Sequence, residues 1–288
     1  MIKDRQFWES AKYNNATFRY YYDRLIEMAV SRFEWKGLPD TVDTRYLELA
    51  LLTDGKAVFF YDEVLGYLAL RCAIGGQMSV YRIPLNRRAY AANGYQKSLT
   101  EKDSVIIFNN MLHTNSIYAL ELYAKKLYNL DRAIEVNANA QKTPILVQCD
   151  ENQRLTLKNA YMKFDGNEPV IYGDKNLNPN SLKVFQTGAP YVADKLFQLK
   201  TEVWNEALTY LGISNINISK KERMITDEVT RNQGGIVASR FSVEETRKQG
   251  GKDIEKIFGL TGVDCVFRED MRIYTADEVI GKGSEDNE

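Results

Sequence analysis

Two long helical stretches that bracket a short insert constrain this chain more than anything else in it. The first is "NSIYALELYAKKLYNLDRAIEVNANAQ" (115–141), where Leu120, Tyr123, Leu127, Leu130 and Ile134 step by three and four, a heptad-like seam. Asn115 or Ser116 supplies its N-cap. From 116 to 138 such a helix is about 34 Å long, and Pro144 forces extended backbone beyond it. The second is "APYVADKLFQLKTEVWNEALTYLGI" (189–213). Pro190 suits its first turn, Gly212 suits its end, and Val192, Leu196, Leu199, Val203 and Tyr210 share a face. Between them "TPILVQC", "PVIYG" and "SLKVFQT" read as strands and "RLTLKNAYMKF" as a short helix. Turn chemistry stands at Asp165-Gly166-Asn167 and Asn178-Pro179-Asn180. A helix out, a compact insert and a helix back make a stalk, which suits one subunit of a ring with the stalks as staves.

The segment before the stalk reads differently. Residues 6–33 hold Phe18, Tyr21, Tyr22, Leu25, Met28, Ala29 and Phe33 at helical spacing. The tyrosines suit either a helix core or stacking on bases. After "GLPD", Thr41 or Asp43 caps a second helix through about Leu52. From 56 to 110 the apolar runs are short: "KAVFFYD", "LGYLALRCAI", "SVYRIPL" and "DSVIIFNN" read as strands of a small β-rich domain, barrel-like in pattern. "IGGQMS" (74–79) is a turn or a bulge, not a dinucleotide fingerprint.

Few classes of chemistry survive this inventory. The single histidine, His113, sits in "NNMLHTNS", which reads as a solvated loop before it reads as a general base. No Walker-type loop, HExxH or nucleophile elbow occurs. The three cysteines, Cys72, Cys149 and Cys265, are far apart, which predicts buried thiols and no zinc site. The start "MIKDRQFWES" carries no apolar leader, and no run approaches a membrane span. Net charge is −1, so no overall basic field marks nucleic-acid binding. Residues 214–252 carry a local excess of +3.

That excess includes "NISKKERMITDEVTRNQGG" (217–235). Ser219 and Glu222 fit a capping box, which would begin an ordinary helix. A basic loop is the other reading. On the second long helix, Lys195, Gln198, Glu202, Asn205 and Thr209 form a polar face that alone would simply be solvated.

Five blocks in order, "FEWKGLP" (33–39), "VNANAQKTPILV" (136–147), "APYVADKL" (189–196), "VWNEALTYLGI" (203–213) and "KKERMITDEV" (220–229), give the chain its resemblance. Over most of residues 18–270 it resembles the portal proteins (upper collar, or head–tail connector) of small short-tailed bacteriophages with protein-primed DNA replication. The resemblance implies an α+β viral portal fold. Residues 1–114 would be a wing of helices and a small SH3-like β-barrel, 115–139 and 189–213 stem helices, and 140–188 an α/β clip. Residues 214–235 would be a tunnel loop, 236–270 a return to the wing, and 271–288 a crown or tail. It further implies a non-enzymatic ring without cofactor or metal, normally a homododecamer, at one capsid vertex, assembled in the host cytoplasm and residing in the virion. Double-stranded DNA would be packaged and ejected through it. Its partners would be major capsid and scaffolding proteins, a packaging ATPase with or without a packaging RNA, and lower-collar or tail proteins, with no membrane. Lys195, Lys220, Lys221, Arg223 and Arg231 would face the DNA channel. The seams at Leu120, Leu127, Leu130, Leu196, Leu199 and Val203 would meet between subunits.

The chain departs from that pattern in places. A family lysine is replaced by Gln186, and the N-terminal arm is short and mixed in charge. From Glu269 onward seven acids stand against two bases, and "GKGSEDNE" reads as a disordered tail. The alternative function is a lower-collar or tail adaptor ring that does not gate DNA. A nuclease or polymerase accessory would need a carboxylate cluster for metal, and pairs such as Asp227–Glu228 read equally as surface charge.

Overall fold

The structure, a computed structural model, describes residues 2–141, 145–147, 182–184, 190–214 and 226–268. In chain order the elements are α1 (Ile2–Ser31), β1 (Phe33–Lys36), α2 (Thr44–Asp54), β2 (Lys56–Asp62) and β3 (Gly66–Met78). There follow β4 (Pro84–Tyr90), β5 (Gln96–Thr100), β6 (Ser104–Phe108), α3 (Ile117–Ala140), β7 (Ile145–Val147) and β8 (Leu182–Val184). Last come α4 (Ala193–Leu211), α5 (Thr226–Phe258) and β9 (Asp264–Phe267). They fall into two compact units: Met1–Tyr128 with Thr201–Glu288, and Asn129–Lys200.

In the larger unit, Asp43 caps α2 by accepting from the Tyr46 N–H at 3.0 Å, and Gly55 ends it in the left-handed region at φ 78°. Strands β2 to β6 form one antiparallel sheet in the order β5-β4-β3-β2-β6. Its two edge strands, β5 and β6, are joined by only residues 101–103. Four flat strand spacings would be about 19 Å, and four residue steps reach at most about 14 Å. The sheet therefore curls until its edges approach. One face of the curl encloses Val58, Phe60, Cys72, Ala89 and Leu99. Ala57 and Phe59 alternate to the other face and pack with Val105, Ile107, α2 and α5. Because β2 is covered on both faces, "AVFF" is continuously apolar instead of alternating.

Two strand expectations shift. "SVYRIPL" is mostly a turn: the Ser79 hydroxyl accepts from the Ile83 N–H at 3.1 Å, and the strand starts only at Pro84. β5 is "QKSLT", in which Leu99 is the one apolar residue, too little for a strand pattern. The glycine pair at 75–76 is a bulge, with the β3–β4 register shifting between Gly75 and Met78 and Gly76 at φ 77°.

A second apolar cluster joins three helices. Tyr21, Leu25 and Ala29 of α1 meet Leu120, Ala124 and Leu127 of α3 and Ala207 and Leu211 of α4. β1 pairs with β9, and α5 packs on β6 and β9. Helix α5 departs from the expected layout, since it begins at Thr226 and makes residues 226–235 helical where a loop through 235 was expected.

In the smaller unit, the end of α3 and the start of α4 run antiparallel. Lys200 pairs with Asp131, and Asn137 donates to the Pro190 carbonyl at 2.9 Å and accepts from the Val192 N–H at 3.0 Å. Strands β7 and β8 continue that register, Ile145 opposite Val184 and Val147 opposite Leu182. The helix at "RLTLKNAYMKF" and the strand at "PVIYG" lie outside the described residues.

Candidate functional site

The segment that raised the sharpest functional question, 217–235, leaves from a helix end built to stay fixed. Gly212 takes φ 74°, its N–H donates to Thr209 at 3.0 Å, and the Ile213 N–H donates to Leu208 at 2.9 Å, a Schellman closure of α4. Two guanidiniums take the last carbonyls: Arg32 donates to Leu211 O at 2.8 Å and Arg240 to Gly212 O at 2.9 Å. Cations belong there, because the helix C-terminus carries partial negative charge.

Those arginines belong to a stacked cluster. Arg32 lies 5.1 Å and Arg247 4.6 Å from the centroid of Phe33, Phe33 meets Phe267 edge-on, and Arg240 lies 3.8 Å over Phe267. Arg247 and Glu48 form a bidentate pair at 2.9 and 2.7 Å, both almost fully buried. Trp35 donates a third bond to Glu48 at 2.8 Å, and Arg247 also donates to Asn109 O at 2.8 Å. Burial works against the Arg247 charge, but Glu48 more than restores it and holds the guanidinium above its ordinary range. Arg32 is different: burial, with Arg247 beside it, pulls its pKa down to about 10. Two sequence-distant stretches, "SRF" (31–33) and "TRK" (246–248), thus meet at one joint. Nothing in their spacing announced it.

The channel residues expected from the sequence divide into three groups. Lys195 stands exposed on α4. Arg231 lies within α5. Lys220, Lys221 and Arg223 lie outside the described residues, as do Gln186, Cys149 and the acidic tail.

The expected intersubunit seam needs correction. Leu120 and Leu127 have no exposed surface: both are enclosed by α1 and α4 of the same chain, so no neighbour can reach them. Val203 is half-buried against that cluster. Leu130 and Leu196 are half-buried and Leu199 is 45% exposed. Sequence reasoning missed the exposed apolar pairs Tyr118 and Leu122 on α3 and Val237 and Phe241 on α5. Each pair is spaced by four, so each shares a helix face; the signal was present but lay off the heptad seam.

His113 is exposed, sits at φ 57° and stacks on Phe108 with ring centroids 3.6 Å apart; burial of its ring lowers its pKa. It has the surroundings of a loop residue. Cys72 and Cys265 are free and buried. Among the described residues no cluster of His, Cys, Asp and Glu could hold a metal ion, and no helix is long and apolar enough to cross a membrane.

A family model, Phage Connector (GP10), matches residues 6–272. Among solved structures the chain is similar to one from the portal and tail of native bacteriophage P68, with 16% identity, a TM-score of 0.52, and coverage of 100% of this chain and 98% of that one. It is also similar to one from the virion of a native gene transfer agent particle, with 9% identity, a TM-score of 0.50, and coverage of 94% and 87%. At such identities the likeness is one of fold.

Proposed function

Because the chain belongs to the phage connector (GP10) family, we propose that it is the portal subunit of a bacteriophage virion, a structural and non-enzymatic ring protein. The observation that carries this reading is the family match across residues 6–272, on a chain whose antiparallel helices α3 and α4 bracket the 140–188 insert. In this reading α3 and α4 are the stem and the insert is the clip. The curled sheet is the SH3-like barrel of the wing, and subunits close into a dodecamer around double-stranded DNA that enters at packaging and leaves at ejection. The host particle is a small short-tailed phage with protein-primed ends. Capsid and scaffolding proteins surround the wing, and a packaging ATPase, then tail proteins, dock on the clip.

Lys195 and Arg231, with Lys220, Lys221 and Arg223, face the DNA in this arrangement. Subunits meet through Leu130, Leu196, Leu199 and Val203 and through the exposed pairs Tyr118–Leu122 and Val237–Phe241. Electron microscopy of the purified protein tests the reading. Rings with a central hole are expected; a uniform population of monomers would overturn it. Rings that join tails while DNA passes without any hold would favour an adaptor instead.

A further inference from the structure

A cavity of about 290 Å³ with mixed polar and apolar walls lies beside the joint described above, in the larger unit. Arg32, Tyr210, Asn110, Thr114, Ser239 and Ser242 line it, together with Leu112, Val243 and the two residues before α3. No carboxylate is among its lining residues.

Charge is out of balance at this point. Two guanidiniums are buried, Arg32 at 3% and Arg247 at 1% exposure, and one carboxylate, Glu48, is buried with them. Glu48 is fully committed: Arg247 donates to both of its oxygens and Trp35 to one. Among the described residues no acid pairs with Arg32. Its Nη1 is held by the Leu211 carbonyl, and its Nε is buried without a partner. A carbonyl at a helix end offers only a fraction of a charge, and Glu48, whose charge also reaches Arg32, is bonded to Arg247, so this buried cation has no ion pair of its own. Burial lowers its pKa to about 10, which leaves it protonated at neutral pH.

The walls around it suit one kind of guest. Ser239 and Ser242 are three apart on one face of α5, and neither hydroxyl makes a hydrogen bond among the described residues. Asn115 and Ser116, which lead into the 24-residue helix α3, border it as well, so the partial positive charge of that helix end lies close by. A buried cation without an ion pair of its own and two unused hydroxyls share one cavity, beside the residues that lead into α3. We propose that this cavity binds a phosphate-type oxyanion, held by the Arg32 guanidinium and the Ser239 and Ser242 hydroxyls. The anion is either free inorganic phosphate or a phosphodiester of DNA, and the proposal stands apart from any assignment of a channel.

Calorimetric titration of the purified full-length protein with inorganic phosphate, at constant ionic strength set by chloride, tests it. Saturable binding near one site per chain is expected. Arg32→Gln should weaken it at least about tenfold, since a charge-assisted contact is lost. Arg32 also holds Leu211, so that variant can fail to fold. The Ser239→Ala, Ser242→Ala double variant leaves that clamp intact and should still weaken phosphate several-fold. A short DNA duplex is the second probe. Competition between duplex and phosphate assigns the site to a phosphodiester, and phosphate binding that the duplex leaves unchanged assigns it to the free ion. Absence of saturable phosphate binding by the unmodified protein, or binding that the double-serine variant leaves unchanged, overturns the proposal.

Discussion

Glu48 is the residue on which most of the larger unit depends. It sits on α2, yet its carboxylate receives Trp35 from β1 and Arg247 from α5, and Arg247 reaches on to Asn109 beyond β6. Removing one charge of such a pair strands the other in a site with little water. Glu48→Gln should therefore cost about 3–5 kcal/mol, read as a lower midpoint in guanidinium denaturation. Replacing both partners, Glu48→Leu with Arg247→Met, should recover part of that, because neither member of the pair is then left to strand the other. A Glu48→Gln protein with an unchanged midpoint would mean that Arg247 finds another acid. None of this was legible from residue types. Glu48 and Arg247 are 199 positions apart, and a charged residue in a helical stretch reads as surface until its partner is seen. Asp43 was legible because an N-cap is a local event: its carboxylate needs only the N–H three residues on.

Elements whose apolar pattern is continuous or strictly periodic were read well. "KAVFFYD" is β2 to the residue, and the stretches at 115–141 and 189–213 hold α3 and α4. For helix α5 the sequence leaves a helix and a basic loop both open at 217–235, and its glycine pairs, Gly234-Gly235 and Gly250-Gly251, carry no helical signal. The second pair is there for contact. A Cβ on Gly251 would lie 2.6 Å from the Val263 carbonyl oxygen, and one on Gly250 would lie 3.0 Å from Ile107. Close packing against β6 and the approach to β9 outweigh the roughly 1 kcal/mol that glycine costs a helix. The heptad seam misled in a different way. It marks apolar faces without saying whether the partner is the same chain or another. The structure separates the cases, and two substitutions of one type follow from the difference. Leu127→Asp puts a charge into a closed core and should fail to fold or aggregate. Leu199→Asp alters a residue 45% exposed and should give a folded chain with impaired assembly. Circular dichroism scores folding and sedimentation velocity scores assembly. Full rings from Leu199→Asp would remove Leu199 from the subunit contact.

At the scale of the whole molecule the open question is what 217–235 does. Its first part lies outside the described residues, and its second part opens α5. Before it, α4 ends in a Schellman closure held by Arg32 and Arg240. Removing residues 220–224 therefore leaves both flanking helices whole, whereas a cut through 229 would take the first residues of α5. Taking five residues from the stretch 212–225 changes its closure cost by less than about 0.6 kcal/mol, so folding and ring yield should stay near normal. The deletion takes away Lys220, Lys221 and Arg223. Repeated around a ring, those cations would form a belt facing DNA. Each phosphate contact is weak and screened by salt, so no single charge should govern DNA entry. The belt would instead resist DNA sliding back under pressure from the packed genome. The 220–224 deletion should thus package DNA at a nearly normal initial rate but yield particles that hold much less of it. DNA content of purified particles, measured beside ring yield, decides the matter. Normal DNA content with normal rings would remove the check on backward sliding, and missing rings would show that the segment serves folding or assembly first.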